Sequence, residues 1–343
     1  MWCHPVELPQ DRKVARVDGL WQVHEGSFTF LRKPNGVHVG AGRFAPSPSG
    51  PLHLGNLRTA ILAWLFARSS QRKFLLRIED LDRVRSGAEA TQIAELSSLG
   101  LDFDGEILRQ SDRLPIYLQA VERLKARGLV YECFCSRKDI AEAGSAPHAA
   151  PGAYPGTCRD LSASERSAKA QNRPAALRLR SEVNEFSVHD ELFGDYTGAV
   201  DDFVLIRNDG APAYNLAVVV DDAFSGIDQV VRGDDLLSSA PRQAYMATLL
   251  GYTVPAYAHV PLALNTKGQR LAKRDGAVTL EEITEQGVHP ANVVAILLES
   301  LGLPSTSLQA ALEAFDPANL PREPWTVEPL NIVQQLMPKA SGN

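Results

Sequence analysis

Pro46-Ser47-Pro48-Ser49-Gly50-Pro51-Leu52-His53-Leu54-Gly55-Asn56 separates a strand pattern, Val37 to Ala45, from a helical one. A strand-to-helix turn of this kind turns backbone N–H groups and the helix dipole toward phosphate. Gly50 and Gly55 permit close backbone approach, and His53 can donate to a phosphoryl oxygen. Far downstream, Gln269-Arg270-Leu271-Ala272-Lys273-Arg274 sets three cations between Gly268 and Gly276. A loop so built can close on a polyphosphate and stabilise developing charge. Taken singly, a capped turn and a basic loop are common. Their order, on either side of an irregular stretch, points to nucleotide chemistry. That stretch holds Cys133, Cys135 and Cys158, a cluster that reads as metal ligands before disulfides; Cys3 has no partner.

The elements that must position these residues alternate. A helix carries Leu54, Leu57, Ile61 and Leu65 on one face, and a strand, Phe74 to Ile78, ends on Glu79 and Asp80. Ser86 and Glu89 form a capping-box pattern for a helix stopped by Gly100, and Ser111 opens another that Gly128 closes. This is the signature of a parallel α/β sheet. From Tyr131 to about Asp202 the alternation fails, and six basic residues, at 159, 166, 169, 173, 178 and 180, face only Asp160 and Glu165. Phe203 to Ile206 and Ala213 to Val219 flank Asn208-Asp209-Gly210, a hairpin signal. A strand ends at Arg232, and a helix runs from near Pro241 to Gly251. After Thr279 short helices are separated by Pro290, Pro304 and Pro321.

The 343 residues predict about two domains, and a net charge of −6 excludes a global basic field while leaving room for a local RNA-binding face. The longest strongly apolar stretch, Ala60 to Ala67, is far short of a membrane span. The N-terminus lacks a basic segment followed by an apolar core, so a cytoplasmic protein without membrane contact is expected.

Together these strings resemble the glutamyl branch of the class I aminoacyl-tRNA synthetases. His53-Leu54-Gly55-Asn56 is similar to the branch's His-Ile-Gly-His motif, and Leu271-Ala272-Lys273-Arg274 to its Lys-Met-Ser-Lys-Ser motif. Gly42-Arg43-Phe44-Ala45-Pro46-Ser47-Pro48, Arg77-Ile78-Glu79-Asp80-Leu81-Asp82 and Val231-Arg232-Gly233-Asp234-Asp235-Leu236-Leu237 carry the likeness further. It covers residues 41 to 285 and implies an α/β, Rossmann-type catalytic domain split by a zinc-binding insertion. The halves would be 37–130 and 203–264, the insertion 131–202, with an extension at 1–36 and a cationic loop and short helical region at 265–343.

The resemblance also assigns roles. Arg43, Ala45, Ser47, Tyr214 and Arg232 would bind glutamate, with Glu79 receiving its ammonium. His53, Gly55, Asn56 and Lys273 would bind ATP, with His53 and Lys273 stabilising the transition state and magnesium arriving with the nucleotide. Plainer readings pair Arg232 with Asp234 or Asp235, and Glu79 with Arg77 or Arg83. Asn56 and Ala272 depart from the branch's usual histidine and serine, which implies slower activation rather than a dead enzyme.

About 70 residues follow Lys273, too few for a helical anticodon-binding region. This narrows the resemblance to a short, monomeric paralogue that attaches glutamate to the queuosine base in the anticodon of tRNA(Asp). Three readings stand beside it: a truncated conventional synthetase, a ligase with a small acceptor, and a non-catalytic RNA-binding paralogue, which the intact set Arg43, Glu79, Tyr214, Arg232 and Lys273 disfavours. The paralogue implies one structural zinc held by Cys133, Cys135, Cys158 and Tyr154; His148 is the chemically easier fourth ligand. It also turns the basic run into expected contacts with tRNA phosphates.

Overall fold

The structure, a computed structural model, describes residues 40–136, 138–140, 154–271 and 279–328, with the backbone of 23–24 and 27–28. Residues 1–39 form a unit of their own, in which Val23–His24 (β1) pairs antiparallel with Ser27–Phe28 (β2). Residues 40–343 form the second unit.

Its centre is a parallel sheet. Ala41–Phe44 (β3) pairs with Lys73–Ile78 (β4), which pairs with Leu108–Arg109 (β5). On the other side an isolated parallel bridge, Ala41 to Ile227, joins β3 to the residues just before the strand Gln229–Gly233 (β11). Next comes Ala256–Val260 (β12), parallel to β11, and then the antiparallel hairpin Glu185–Asp190 (β8) and Gly194–Ala199 (β9). That hairpin falls within the expected insertion, yet it extends the central sheet. A separate antiparallel sheet, Val204–Ile206 (β10), Ala176–Leu179 (β7) and Val130–Cys133 (β6), joins the expected insertion to strand residues on either side of it.

The period of two along each strand sorts its side chains between two helical layers. Phe44, Leu76, Ile78, Val231, Ala258 and Val260 pack with the buried helix Leu54–Ser69 (α1). Ala41, Val230 and Tyr257 face the other way, against Ala240 and Ala244 of Ala240–Leu250 (α6). Gly42 is a place of close approach: a Cβ there would meet that of Ala67 at 3.2 Å. Two more helices, Leu114–Lys125 (α3) and Tyr214–Phe224 (α5), join α6 in a second core around Leu124, Leu205 and Leu216. Ala163–Ala170 (α4) is exposed throughout, while Leu280–Glu285 (α7), Pro290–Glu299 (α8) and Leu308–Glu313 (α9) follow the cationic loop. Arg58 of α1 ties this region down, donating to Pro261 O at 2.7 Å and to Ser300 Oγ at 3.0 Å. Burial, in spite of Asp234 nearby, lowers its pKa to about 10.

Three expectations fail locally. Ala213 to Val219 is not a strand: the chain enters α5 at Tyr214, because an apolar run that short reads alike as a buried strand or the start of a buried helix. Ser86 does not cap Ala88–Ser98 (α2); the cap is Gly87 at φ 80°, and Glu89 instead pairs with Arg109 at 2.6 Å. Ser111 lies inside a 3₁₀ turn, Gln110–Arg113, and donates to Asp80, so α3 begins at Leu114. The helix near Pro241 does end as expected, with Gly251 in the left-handed region at φ 72°.

Candidate active site and metal centre

Alternation places four basic side chains on one face of the sheet. Arg43 lies on the side of Ala41, Arg232 on that of Val230, His259 on that of Tyr257, and Arg77 opposite Leu76 and Ile78. All four sit toward the carboxyl ends of parallel strands, where open α/β sheets bind ligands.

They form a connected network. Asp222 of α5 accepts from Arg43 Nε at 3.1 Å and Arg77 Nη1 at 2.6 Å, and Arg77 Nη2 reaches Glu79 at 3.3 Å. Burial would raise the Asp222 pKa, but Arg43 and Arg77 override it and hold the carboxyl below the usual range. At Glu79 burial prevails over Arg77 and Arg43, and the pKa is raised. Arg43 Nη1 also donates to Val231 O at 3.4 Å, next to Arg232.

Arg232 is only 5% exposed and is held entirely by neutral acceptors. Its Nε donates to His259 Nε2 at 3.0 Å and its Nη1 to Gln243 Oε1 at 2.7 Å and Tyr214 Oη at 3.4 Å, while Nη2 reaches Leu236 O at 3.4 Å. Among the described residues no carboxylate pairs with it; Asp235 is taken by Arg270 at 2.6 Å. Tyr214, at 41% exposure, opens this cluster to solvent.

The turn Pro46–Asn56 is braced by α2. Gln92 Nε2 donates to Ser47 O at 3.0 Å and Gly50 O at 2.7 Å, and Glu95 accepts from Leu52 N at 2.8 Å. Pro46 O accepts from Glu79 N at 3.0 Å, which brings Ala45 and Ser47 beside the acidic end of β4. His53 is the N-cap of α1: its Nδ1 accepts from Asn56 N and Asn56 Oδ1 accepts from His53 N, both at 3.3 Å. Asn56 therefore fixes the cap that orients the His53 ring. Gly55 leaves room for that ring, since a Cβ would meet it at 3.1 Å. Ala272, Lys273 and Arg274 lie outside the described residues.

The second centre lies in the insertion. The sulfurs of Cys133, Cys135 and Cys158 fall within 4.8 Å of one another, a group that could hold a metal ion. Tyr154 Oη lies 3.4 Å from Cys133 Sγ and 3.7 Å from Cys135 Sγ, and it accepts from Cys158 N at 2.8 Å. Arg178 stacks on the Tyr154 ring at 3.7 Å. Burial pushes the Cys135 thiol up to about 11 and the Tyr154 phenol higher, so both would need a cation to ionise. His148 lies outside the described residues.

The chain matches the family of tRNA synthetases class I (E and Q), catalytic domain, over residues 39–320. It is 62% identical over 296 residues to a glutamyl-Q tRNA(Asp) synthetase of Nocardia farcinica, covering 86% of this chain and 95% of that protein. A second glutamyl-Q tRNA(Asp) synthetase, from Deinococcus radiodurans, is 48% identical over 77% of this chain and 89% of its own. The chain belongs to the glutamyl-Q tRNA(Asp) synthetase family within class I. Its fold agrees: a glutamate tRNA ligase from Elizabethkingia meningosepticum, solved in complex with its amino acid, superposes with a TM-score of 0.74 at 26% identity. That superposition covers 87% of this chain and 69% of the ligase.

For a glutamyl-Q tRNA(Asp) synthetase family member the structure adds residues that sequence reasoning missed: Gln92, Glu95, Asp190, Asp222, Gln243 and His259, while Arg77, expected there as a plainer partner of Glu79, does hold it at 3.3 Å. A signal for some was available. Asp221-Asp222 interrupts an apolar helix, and His259 sits in a strand with no polar neighbours, so each demanded a buried partner. The basic run divides. Arg159 binds Asp202 at 2.7 Å, Arg178 is buried on Tyr154, and Arg180 binds Asp160 at 2.9 Å. Of the other three, Arg166 and Lys169 are exposed on α4 and Arg173 is half-buried.

Proposed function

We propose that this protein activates L-glutamate with ATP as glutamyl-adenylate and transfers the glutamyl group to the queuosine base of tRNA(Asp). One observation carries the glutamate reading: Arg232 is a buried guanidinium whose partners are all neutral. A buried cation without an anion is costly, and a substrate carboxylate supplies one in the bidentate geometry arginine favours. Glu79 takes the substrate ammonium, Arg43 and Tyr214 complete the pocket, and Ala45 and Ser47 form its floor. The α-carboxylate then attacks the α-phosphorus of ATP, forming a C–O–P bond and releasing pyrophosphate. His53 stabilises charge on the α-phosphoryl group and Lys273 on the departing pyrophosphate, with magnesium accompanying the nucleotide. The names of the relatives support the acceptor, and the protein acts as a cytoplasmic monomer.

Zinc suits the second centre. Zn–S bonds of about 2.3 Å put tetrahedral ligands about 3.7 Å apart. Tyr154 Oη at 3.4 and 3.7 Å from two sulfurs, and Cys135 Sγ at 3.5 Å from Cys158 Sγ, fit that spacing. With no nucleophile or open position the metal is structural, pinning β6 to the turn at Cys158.

The test is transfer of labelled glutamate to tRNA from cells with and without queuosine, with ATP and no other enzyme. Labelling confined to queuosine-containing tRNA(Asp) is the expected result. Equal labelling of both pools would identify a 3′-end synthetase, and pyrophosphate exchange without tRNA labelling a ligase with a small acceptor.

A further inference from the structure

His259 is fully buried at the centre of the sheet, in β12, directly beside Arg232 in the parallel register of β11. Its Nδ1 lies 2.6 Å from Asp190 Oδ2 at the end of β8, and its Nε2 lies 3.0 Å from Arg232 Nε. Arginine can only donate, so Nε2 must carry a lone pair, and the proton must sit on Nδ1 facing Asp190. Asp190 is held by further donors, the backbone N–H groups of Leu192 at 2.9 Å, Phe193 at 3.0 Å and His259 at 3.1 Å. The His259 ring stacks on Tyr257 at 5.8 Å with 17° between planes, which fixes its rotation. Three strands thus converge on one guanidinium through a chain that has a single self-consistent proton arrangement.

We infer that Asp190 and His259 are positioning residues for glutamate recognition: Asp190 fixes the His259 tautomer, and His259 fixes the guanidinium plane of Arg232. Because Nε and both Nη groups meet only neutral acceptors, the arginine is oriented without its charge being neutralised in direct contact. A carboxylate in place of His259 would orient Arg232 equally well and cancel the charge that the substrate needs. The inference rests on the reading of Arg232 as a glutamate-binding residue.

The experiment is glutamate-dependent pyrophosphate exchange, with KM measured separately for glutamate and ATP, alongside thermal unfolding. Four variants are compared: Arg232→Lys, His259→Leu, His259→Gln and Asp190→Asn. Gln offers an acceptor where Nε2 stood and should stay within about threefold of the parent. Leu removes the acceptor and should raise the glutamate KM by about 10- to 30-fold with the ATP KM unchanged, the scale of one charge-assisted hydrogen bond. Asp190→Asn can donate to Nδ1, which moves the ring proton to Nε2 against Arg232, and should raise the glutamate KM similarly. Should His259→Leu fail to fold, the contrast between His259→Gln and Asp190→Asn decides. An unchanged glutamate KM in Asp190→Asn, or equal losses in both KM values and kcat, would overturn the positioning role. An unchanged glutamate KM in Arg232→Lys would instead overturn the underlying reading of the pocket.

Discussion

Asp222 Oδ1 accepts a hydrogen bond from Arg43 Nε at 3.1 Å, joining the last turn of α5 to a strand 179 positions earlier in the chain. The same oxygen takes Arg77 Nη1 at 2.6 Å. A carboxylate from a helix thus sets the spacing of two arginines on neighbouring strands. Asp222→Asn should lose about 3 kcal/mol of stability, because it leaves two buried guanidinium groups without their shared anion. Denaturant unfolding measures the loss, and the glutamate KM should rise with it. A fully stable variant would mean that the pair is accommodated by other acceptors.

The raised pKa of Glu79 sets a pH dependence. Burial favours its neutral form, so the carboxyl protonates at a higher pH than an ordinary glutamate. Protonated, it cannot balance the substrate ammonium. The glutamate KM should therefore climb as pH falls, starting above the usual glutamate range of about 4.3. Glu79→Gln should flatten that profile and raise KM at every pH. A profile unchanged in Glu79→Gln would assign the titration elsewhere.

One zinc per chain is expected on metal analysis, and Cys158→Ser should lower both zinc content and the unfolding temperature. Tyr154→Phe keeps the ring that Arg178 covers and removes only the oxygen. It should bind zinc more weakly with the fold retained. Full zinc occupancy with unchanged affinity would make His148 the fourth ligand.

The split within the basic run predicts two classes of variant. Removing the charges of Arg166, Lys169 and Arg173 should leave thermal stability unchanged and lower the salt slope of tRNA binding by about 2 to 3. Arg178→Ala and Arg159→Ala should instead lower stability, since these side chains anchor Tyr154 and Asp202. A salt slope unmoved by the first set would remove α4 from the RNA-binding face.

Several of these relationships were legible before folding. The turn Pro46–Asn56, the cysteine cluster and the helix from near Pro241 to Gly251 are local: a few adjacent residues fix their backbone, so their signals sit in short strings. Arg43, Glu79 and Arg232 stand in such strings too, and the resemblance added Tyr214. Their partners were not, because Asp222, Gln243 and His259 act across the sheet, and spacing along the chain carries no information about strand order.

The same distinction explains the errors. Apolar runs such as Leu216 to Val220 satisfy a buried strand or a buried helix equally, and only the layer packed against them chooses. Charges are similar. Sequence alone determined that residues 159–180 are basic and that Arg232 lies at a strand end. Tertiary structure decided that three of those six cations are taken up by specific partners, and that Arg232 is surrounded by neutral groups. The physical reason is that a charge's role depends on what desolvates and opposes it, and both come from distant segments brought together only when the sheet closes.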